Sequence, residues 1–330
     1  MANGDDPSRP TFGIYPGSAV GDDSGQVVSG PPDDPARIAR ALEDLQGRDG
    51  RPLLVRAYRV FADADDPDRR SPVESPADPA RYAGRGRRLD LVAQYQSRRG
   101  DVTGYCSFLR RLVAEHGAAI STLQVGEEPN VTGNPSLDGD YPAVTDAVIA
   151  GVSAAKDEAR RLGHHQLQVG INTTMLLGPA ASFVAQLAQA GGQRFLTDLD
   201  YAGLDFFPDV FRPVPPDRLD AVVEAVLGQH RRDVLDPAGL GTAPLRITEH
   251  GWPTGPGRPP ERQAQVVRAV VTAVARNARS LGLAGYTHFT LRDADSGNPG
   301  LFHQFGLMTD DYTPKPAFHA YRELIDRYST

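Results

Sequence analysis

The chain holds one cysteine, Cys106, in 330 residues, so no disulfide can form within it. Cys106 sits in Gly104-Tyr105-Cys106-Ser107-Phe108-Leu109, a helix-like apolar pattern that predicts buried filler in place of a nucleophile. Lysine is almost missing: Lys156 and Lys315 are the only two, and arginine carries the rest of the positive charge. With abundant Ala, Gly, Asp and Pro, this bias is compositional and carries no functional weight. A formal net charge of -7 and a pI near 5.6 give no electrostatic footprint for nucleic acid or an anionic membrane. No apolar run approaches the length of a bilayer span. Met1-Ala2-Asn3-Gly4-Asp5-Asp6-Pro7 has neither the basic nor the apolar region of an export signal. A cytoplasmic protein, or one whose signal has been removed, is the expectation. No GxGxxG or Walker-type glycine loop follows a predicted strand, and no HExxH occurs, which argues against dinucleotide, P-loop and zincin chemistry.

What the sequence does contain is an alternation of strands and helices. Thr11 to Pro16, Pro52 to Phe61, Leu89 to Tyr95, Thr122 to Gly126, Leu167 to Asn172, Ala202 to Pro208, Leu245 to Glu249 and Gly285 to Leu291 read as eight strands. Helical spacing falls over Pro35–Leu45, Val102–His116, Tyr141–Leu162, Ala180–Ala190, Leu219–His230, Arg262–Leu281 and Ala317–Tyr328. The stretch Ala62–Arg88 is crowded with Asp, Pro, Arg and Ser and reads as a disordered insertion or a long loop. Near-continuous apolarity in Leu53-Leu54-Val55 and its continuation fits a parallel strand covered on both faces. The fold class predicted is α/β, a single (β/α)8 TIM barrel over residues 11–330 behind a flexible N-terminus, 1–10. An open doubly wound sheet is the runner-up.

Two strand tips carry chemistry. Leu245-Arg246-Ile247 delivers Thr248-Glu249-His250-Gly251-Trp252-Pro253-Thr254, and Leu123-Gln124-Val125 delivers Gly126-Glu127-Glu128-Pro129-Asn130. Each run ends on a glutamate and is stopped by proline, which places Glu128 and Glu249 on the C-terminal face where such barrels work. Paired carboxyls across a pocket suit glycosidic cleavage: about 5–5.5 Å apart for retention, about 6.5–9.5 Å for inversion. The proton donor needs a raised pKa, and for Glu128 the neighbouring Glu127, the facing Glu249 and burial would all act in that direction.

These segments resemble clan A glycoside hydrolases. Glu127-Glu128-Pro129 resembles the Asn-Glu-Pro motif of their fourth strand, and Glu249-His250-Gly251-Trp252-Pro253 resembles the seventh-strand nucleophile motif of family 17 glucanases. Phe206-Phe207-Pro208 is similar to the sixth strand of family 53 galactanases, and Phe289-Thr290-Leu291-Arg292-Asp293 to the eighth of family 39-type enzymes. The resemblance implies a retaining hydrolase with Glu128 as acid/base, Glu249 as nucleophile and no metal or organic cofactor. It implies a small-molecule or oligosaccharide substrate. It also makes Arg56 the second-strand support of the nucleophile, with Arg59 its rival. Three departures stand out: Glu127 replaces the asparagine that holds the sugar 2-hydroxyl, Phe206 or Phe207 replaces the tyrosine that orients the nucleophile, and Phe289 stands nearest the usual eighth-strand tryptophan.

Arg56, Glu127, Asn130, Asn172, Phe207, Trp252 and Phe289 are the expected substrate-binding residues, with Trp252 either stacking on a sugar or packing under its loop. Tyr15 and Asp205 also fall at strand tips, His164 and His165 at the wrong end, and His250 and His288 nearby. Two other classes are open: a metal-dependent isomerase or lyase using Glu127, Asp205, Glu249 and His250, and a sugar-binding barrel without activity. Oligomeric state is not legible.

Overall fold

The computed structural model describes residues 9–22, 24–64, 74–175 and 182–329. Strand β1 (Thr11–Ile14) leads into a small antiparallel ribbon, β2 (Val20–Gly21) and β3 (Val27–Val28). Then come β4 (Leu53–Ala62), β5 (Arg87–Gln96), β6 (Ile120–Val125), β7 (Gln168–Thr174), β8 (Tyr201–Asp205), β9 (Leu245–His250) and β10 (Leu283–His288). All but the ribbon are parallel and close in the order β1-β10-β9-β8-β7-β6-β5-β4, so the eight predicted strands form a (β/α)8 TIM barrel. The closing seam of β1 on β4 is short, pairing Gly13 with Leu54 and Ile14 with Val55.

Seven α-helices among the described residues cover the strands: α1 (Pro35–Gln46), α2 (Val102–His116), α3 (Val144–Arg161), α4 (Phe183–Asp198), α5 (Leu219–His230), α6 (Pro260–Arg276) and α7 (Pro316–Tyr328). Their ends follow local chemistry. Asp34 caps α1 by accepting from the Ala36 and Arg37 amides, with Pro35 in the first turn, and Gly47 at φ 72° ends it. Asp101 caps α2 by accepting from the Gly104 amide at 2.8 Å. The strict eightfold alternation fails once. Between β4 and β5 the described chain makes only a 3₁₀ turn, Pro79–Tyr82, where proline and arginine crowd the sequence. The predicted loop over 62–88 is thus partly structured: Ser75 pairs with Tyr58, and β5 begins at Arg87, while 65–73 fall outside the described residues. Of the expected flexible N-terminus, only Arg9 and Pro10 are described, and Pro10 is buried. Cys106 is buried on α2 as filler.

The apolar core lies between sheet and helices, with Leu53, Val55 and Ala57 of β4 facing Leu42 and Leu45 of α1 and their neighbours. The barrel interior is polar. Arg56 is fully buried there, its Nη1 donating to Asp90 Oδ2 at 3.0 Å, and Thr122 donates to Asp90 Oδ1 at 2.8 Å. A buried guanidinium is tolerable only when its donors are met, and this one spends them on the site above. No described helix is long and apolar enough to cross a membrane.

Candidate active site

The tips of β6, β8 and β9 build the site. Beyond β6, Gly126 takes φ 85°, a turn that glycine makes without a Cβ penalty, and Glu128 is left-handed at φ 44°. A non-glycine residue held there carries strain of order 1–2 kcal/mol, which the surroundings must hold in place. Asp138 does part of that: its Oδ2 accepts from the amides of Tyr95 and Glu127, each at 2.8 Å, locking the turn to β5. The Glu128 amide donates to Asn172 Oδ1 at 2.9 Å. At the tip of β9, a Cβ on Gly251 would lie 2.0 Å from the Phe289 carbonyl oxygen, so the two neighbouring tips can approach only because this residue is glycine.

Arg56 organises the carboxyls. Its Nη2 donates to Gln124 Oε1 (3.0 Å), Glu127 Oε2 (3.3 Å) and Glu249 Oε1 (3.4 Å), and its Nε to the Tyr58 hydroxyl (2.7 Å). Tyr58 donates in turn to Glu249 Oε1. Glu127 Oε2 also accepts from Gln124 at 2.7 Å. Asp205, the last residue of β8, accepts from Thr248 at 2.7 Å and from Asn172. Glu127, Asp205 and Glu249 bring oxygens within 4.8 Å of one another, the one group among the described residues with the geometry to hold a metal ion. A guanidinium already contacts two of the three, so the positive charge such a group needs comes from the chain itself.

Burial first, and then mutual repulsion, push these carboxyls up. Glu127 rises well above the usual range by burial and the charge of Asp205, and Asp205 by burial and the charge of Glu249. Glu249 rises by burial and by Glu127, against the pull of Arg56 and the hydrogen bond from Tyr58. Two donors converging on one Glu249 oxygen favour its ionised form. Glu128 is different: no cation pairs with it among the described residues, and burial raises it to about 7, opposed only by a hydrogen bond with Thr174.

That shift has a measurable consequence. Folded Glu128 keeps its proton to about pH 7, whereas its ordinary value is 4.5. Between those values the folded state holds the extra proton, so stability falls as pH rises through the window. Glu128→Gln is expected to match wild type at pH 4 and to be about 1–3 kcal/mol more stable at pH 8, in urea melts. The full shift would give about 3 kcal/mol, which contact with cavity water reduces. An equal difference at both pH values would contradict this environment.

A cavity of about 560 Å³ opens over the group, lined by Glu127, Glu128, Glu249, Tyr15, Tyr58, Phe207 and Phe289 among others. Several expectations change here. Of the expected binding residues, Glu127, Phe207 and Phe289 line the cavity. Arg56, not Arg59, supports Glu249; Arg59 donates to the carbonyls of Tyr58, Pro76 and Ala77. Arg56 lies beneath the cavity and touches no part of it. Asn172 is fully buried and joins Asp205, Glu127 and the Glu128 amide, while Asn130 exchanges bonds with the Thr174 backbone; both are cross-links, not cavity contacts. Trp252 is buried in the main core with its Nε1 donating to the Asp209 carbonyl, and packs instead of stacking. His250 faces outward, its Nδ1 2.6 Å from the Tyr286 hydroxyl, and burial drives it down to about 3, so it joins neither the carboxyls nor a metal set. Tyr58 is the residue that sequence reading missed.

A closed parallel barrel of this kind is the fold of the solved glycoside hydrolase structures to which the chain is similar. No protein-family model matches the chain, and neither does any curated protein. Solved structures do match. A GH5_18 protein from Bifidobacterium longum subsp. infantis is 17% identical over 97% of this chain and 79% of its own, with a TM-score of 0.64. A glucosidase from Croceicoccus marinus is 16% identical over 96% and 70%, TM-score 0.59. A family 39 glycoside hydrolase from Bacteroides cellulosilyticus WH2 is 15% identical over 97% of this chain and 64% of its own, TM-score 0.56. At such identities the likeness is one of fold.

Proposed function

We propose that the chain is a retaining glycoside hydrolase that cleaves a β-glycosidic bond by double displacement, with Glu249 as nucleophile and Glu128 as acid/base. One contrast carries the reading. In a single cavity, one glutamate oxygen receives two donors, from Arg56 and Tyr58, while the other glutamate meets no cation among the described residues and keeps its proton to about pH 7. Glu249 attacks the anomeric carbon while Glu128 gives its proton to the departing oxygen, leaving a glycosyl ester on Glu249. Glu128, now ionised, takes a proton from water; the hydroxide displaces Glu249 and both residues return to their starting states. Arg56 and Tyr58 hold the carboxylate through both halves. Glu127, its Oε2 held by Arg56 and Gln124, meets a sugar hydroxyl with a carboxyl in place of an amide.

The substrate is a small glycoside or oligosaccharide, and because the Croceicoccus marinus neighbour is a glucosidase, β-glucosides head the panel to be tested. Nitrophenyl β-glycosides of several sugars, followed by proton NMR of the first sugar released, test the assignment. The β anomer is expected first. Appearance of the α anomer first would make the enzyme inverting, and binding of saccharides without release of any aglycone would favour a sugar-binding barrel.

A further inference from the structure

The cavity has two unlike walls. Gln94 and Gln96 of β5, Arg98 just beyond it, and Asn134 and Ser136 after β6, interspersed with Val131, Pro135 and Leu137, line one side. Phe207 and Phe211 after β8, with Phe289, Phe302 and Phe305 after β10, line the other. In the closed strand order, β6 lies opposite β10 and β5 opposite β9, with β8 two places from β6. The rings are not a continuation of the barrel core, since Phe289 and Phe305 belong to a second apolar cluster at the mouth, with Phe207 and Phe302 packed against it. They meet edge to face, Phe207 on Phe305 at 5.9 Å and Phe289 on Phe305 at 6.0 Å, which makes a recess and not a flat platform. The exposed large hydrophobic side chains among the described residues are Val27, 43% exposed, and Phe211, 63% exposed, and both line this cavity. Apolar surface left in water at one rim marks a place that an apolar ligand completes. Sugar hydroxyls pushed against phenylalanine would lose their partners, whereas the Gln94 amide on the facing wall would meet them.

We propose, building on the hydrolase reading above, that the substrate is a glycoside with an apolar aglycone, an alkyl or aryl group and not a second sugar. The sugar lies toward the polar wall and the aglycone packs on Phe207, Phe211, Phe302 and Phe305.

The full chain is assayed with methyl, butyl and hexyl β-D-glucosides and β-D-galactosides, and with cellobiose and lactose. The alkanols are leaving groups of similar acidity, so chain length isolates packing from chemistry. The expected result is that kcat/KM rises about fourfold for each methylene buried until the recess is full, and that the hexyl glycoside exceeds the matching disaccharide. Phe211→Ser, on an exposed side chain, is expected to lower the hexyl-to-methyl ratio of kcat/KM at least fivefold. A flat series, or a preferred disaccharide, with sugar still released would overturn the apolar aglycone and leave the hydrolase standing. Release from no glycoside would remove the hydrolase reading. Calorimetric titration of the same glycosides then decides the recess alone: a Kd that tightens with chain length supports it, and one that does not overturns it.

Discussion

Replacing Glu249 with alanine is expected to lower kcat by about 10³-fold or more on every glycoside that the wild type cleaves, the scale on which loss of a covalent catalytic group is felt. That is about 4 kcal/mol of transition-state stabilisation. The loss is chemical in origin, because the rest of the constellation stays paired: Arg56 still donates to Asp90, Gln124 and Glu127. Azide should enter the vacated space, attack the same face of the sugar and yield an α-glycosyl azide, restoring part of the rate. Near-normal kcat in Glu249→Ala, or a β-glycosyl azide, would contradict the assignment.

Glu128→Ala divides substrates by leaving group. An alkoxide must be protonated as it departs, so alkyl glycosides should lose about 10²–10³-fold in kcat/KM; nitrophenolate leaves unaided, and its glycosides should lose about tenfold or less in the first step. The wild-type profile adds a second readout. A donor with a pKa raised to about 7 is protonated below that value and spent above it, so activity on alkyl glycosides falls as pH rises past about 7, and the variant loses that limb. Equal losses on good and poor leaving groups would deny Glu128 the role.

The place of both glutamates at the cavity was legible because apolar runs that stop on Glu-x-Gly or Glu-Pro end at strand tips. The barrel was legible for a related reason: eight short apolar runs separated by helical spacing leave few topologies. What surrounds the glutamates was less so. Arg56 and Arg59 lie three apart on β4, so the strand's alternation sends them to opposite faces, and only the register shows which one faces inward. The same parity would have found Tyr58, two residues from Arg56 and therefore on its side. It supplies from β4 the hydroxyl missing at Phe206-Phe207. Trp252 misled because it follows Glu249 closely in sequence. Past Gly251 the chain has already turned into the layer between sheet and helices, where Gln263 of α6 donates to the Trp252 carbonyl at 2.8 Å. Asn130 and Asn172 could not be told from ligands, since the partners they bind lie far along the chain.

The donors that aim Glu249 come from β4, inside the cylinder and beneath every loop, whereas Val27 and Phe211 belong to segments hung on its edge. Reaction and selectivity are therefore separately heritable. Loops at the rim can be exchanged, lengthened or recoloured with other side chains, and the Glu249 oxygen keeps its bearing.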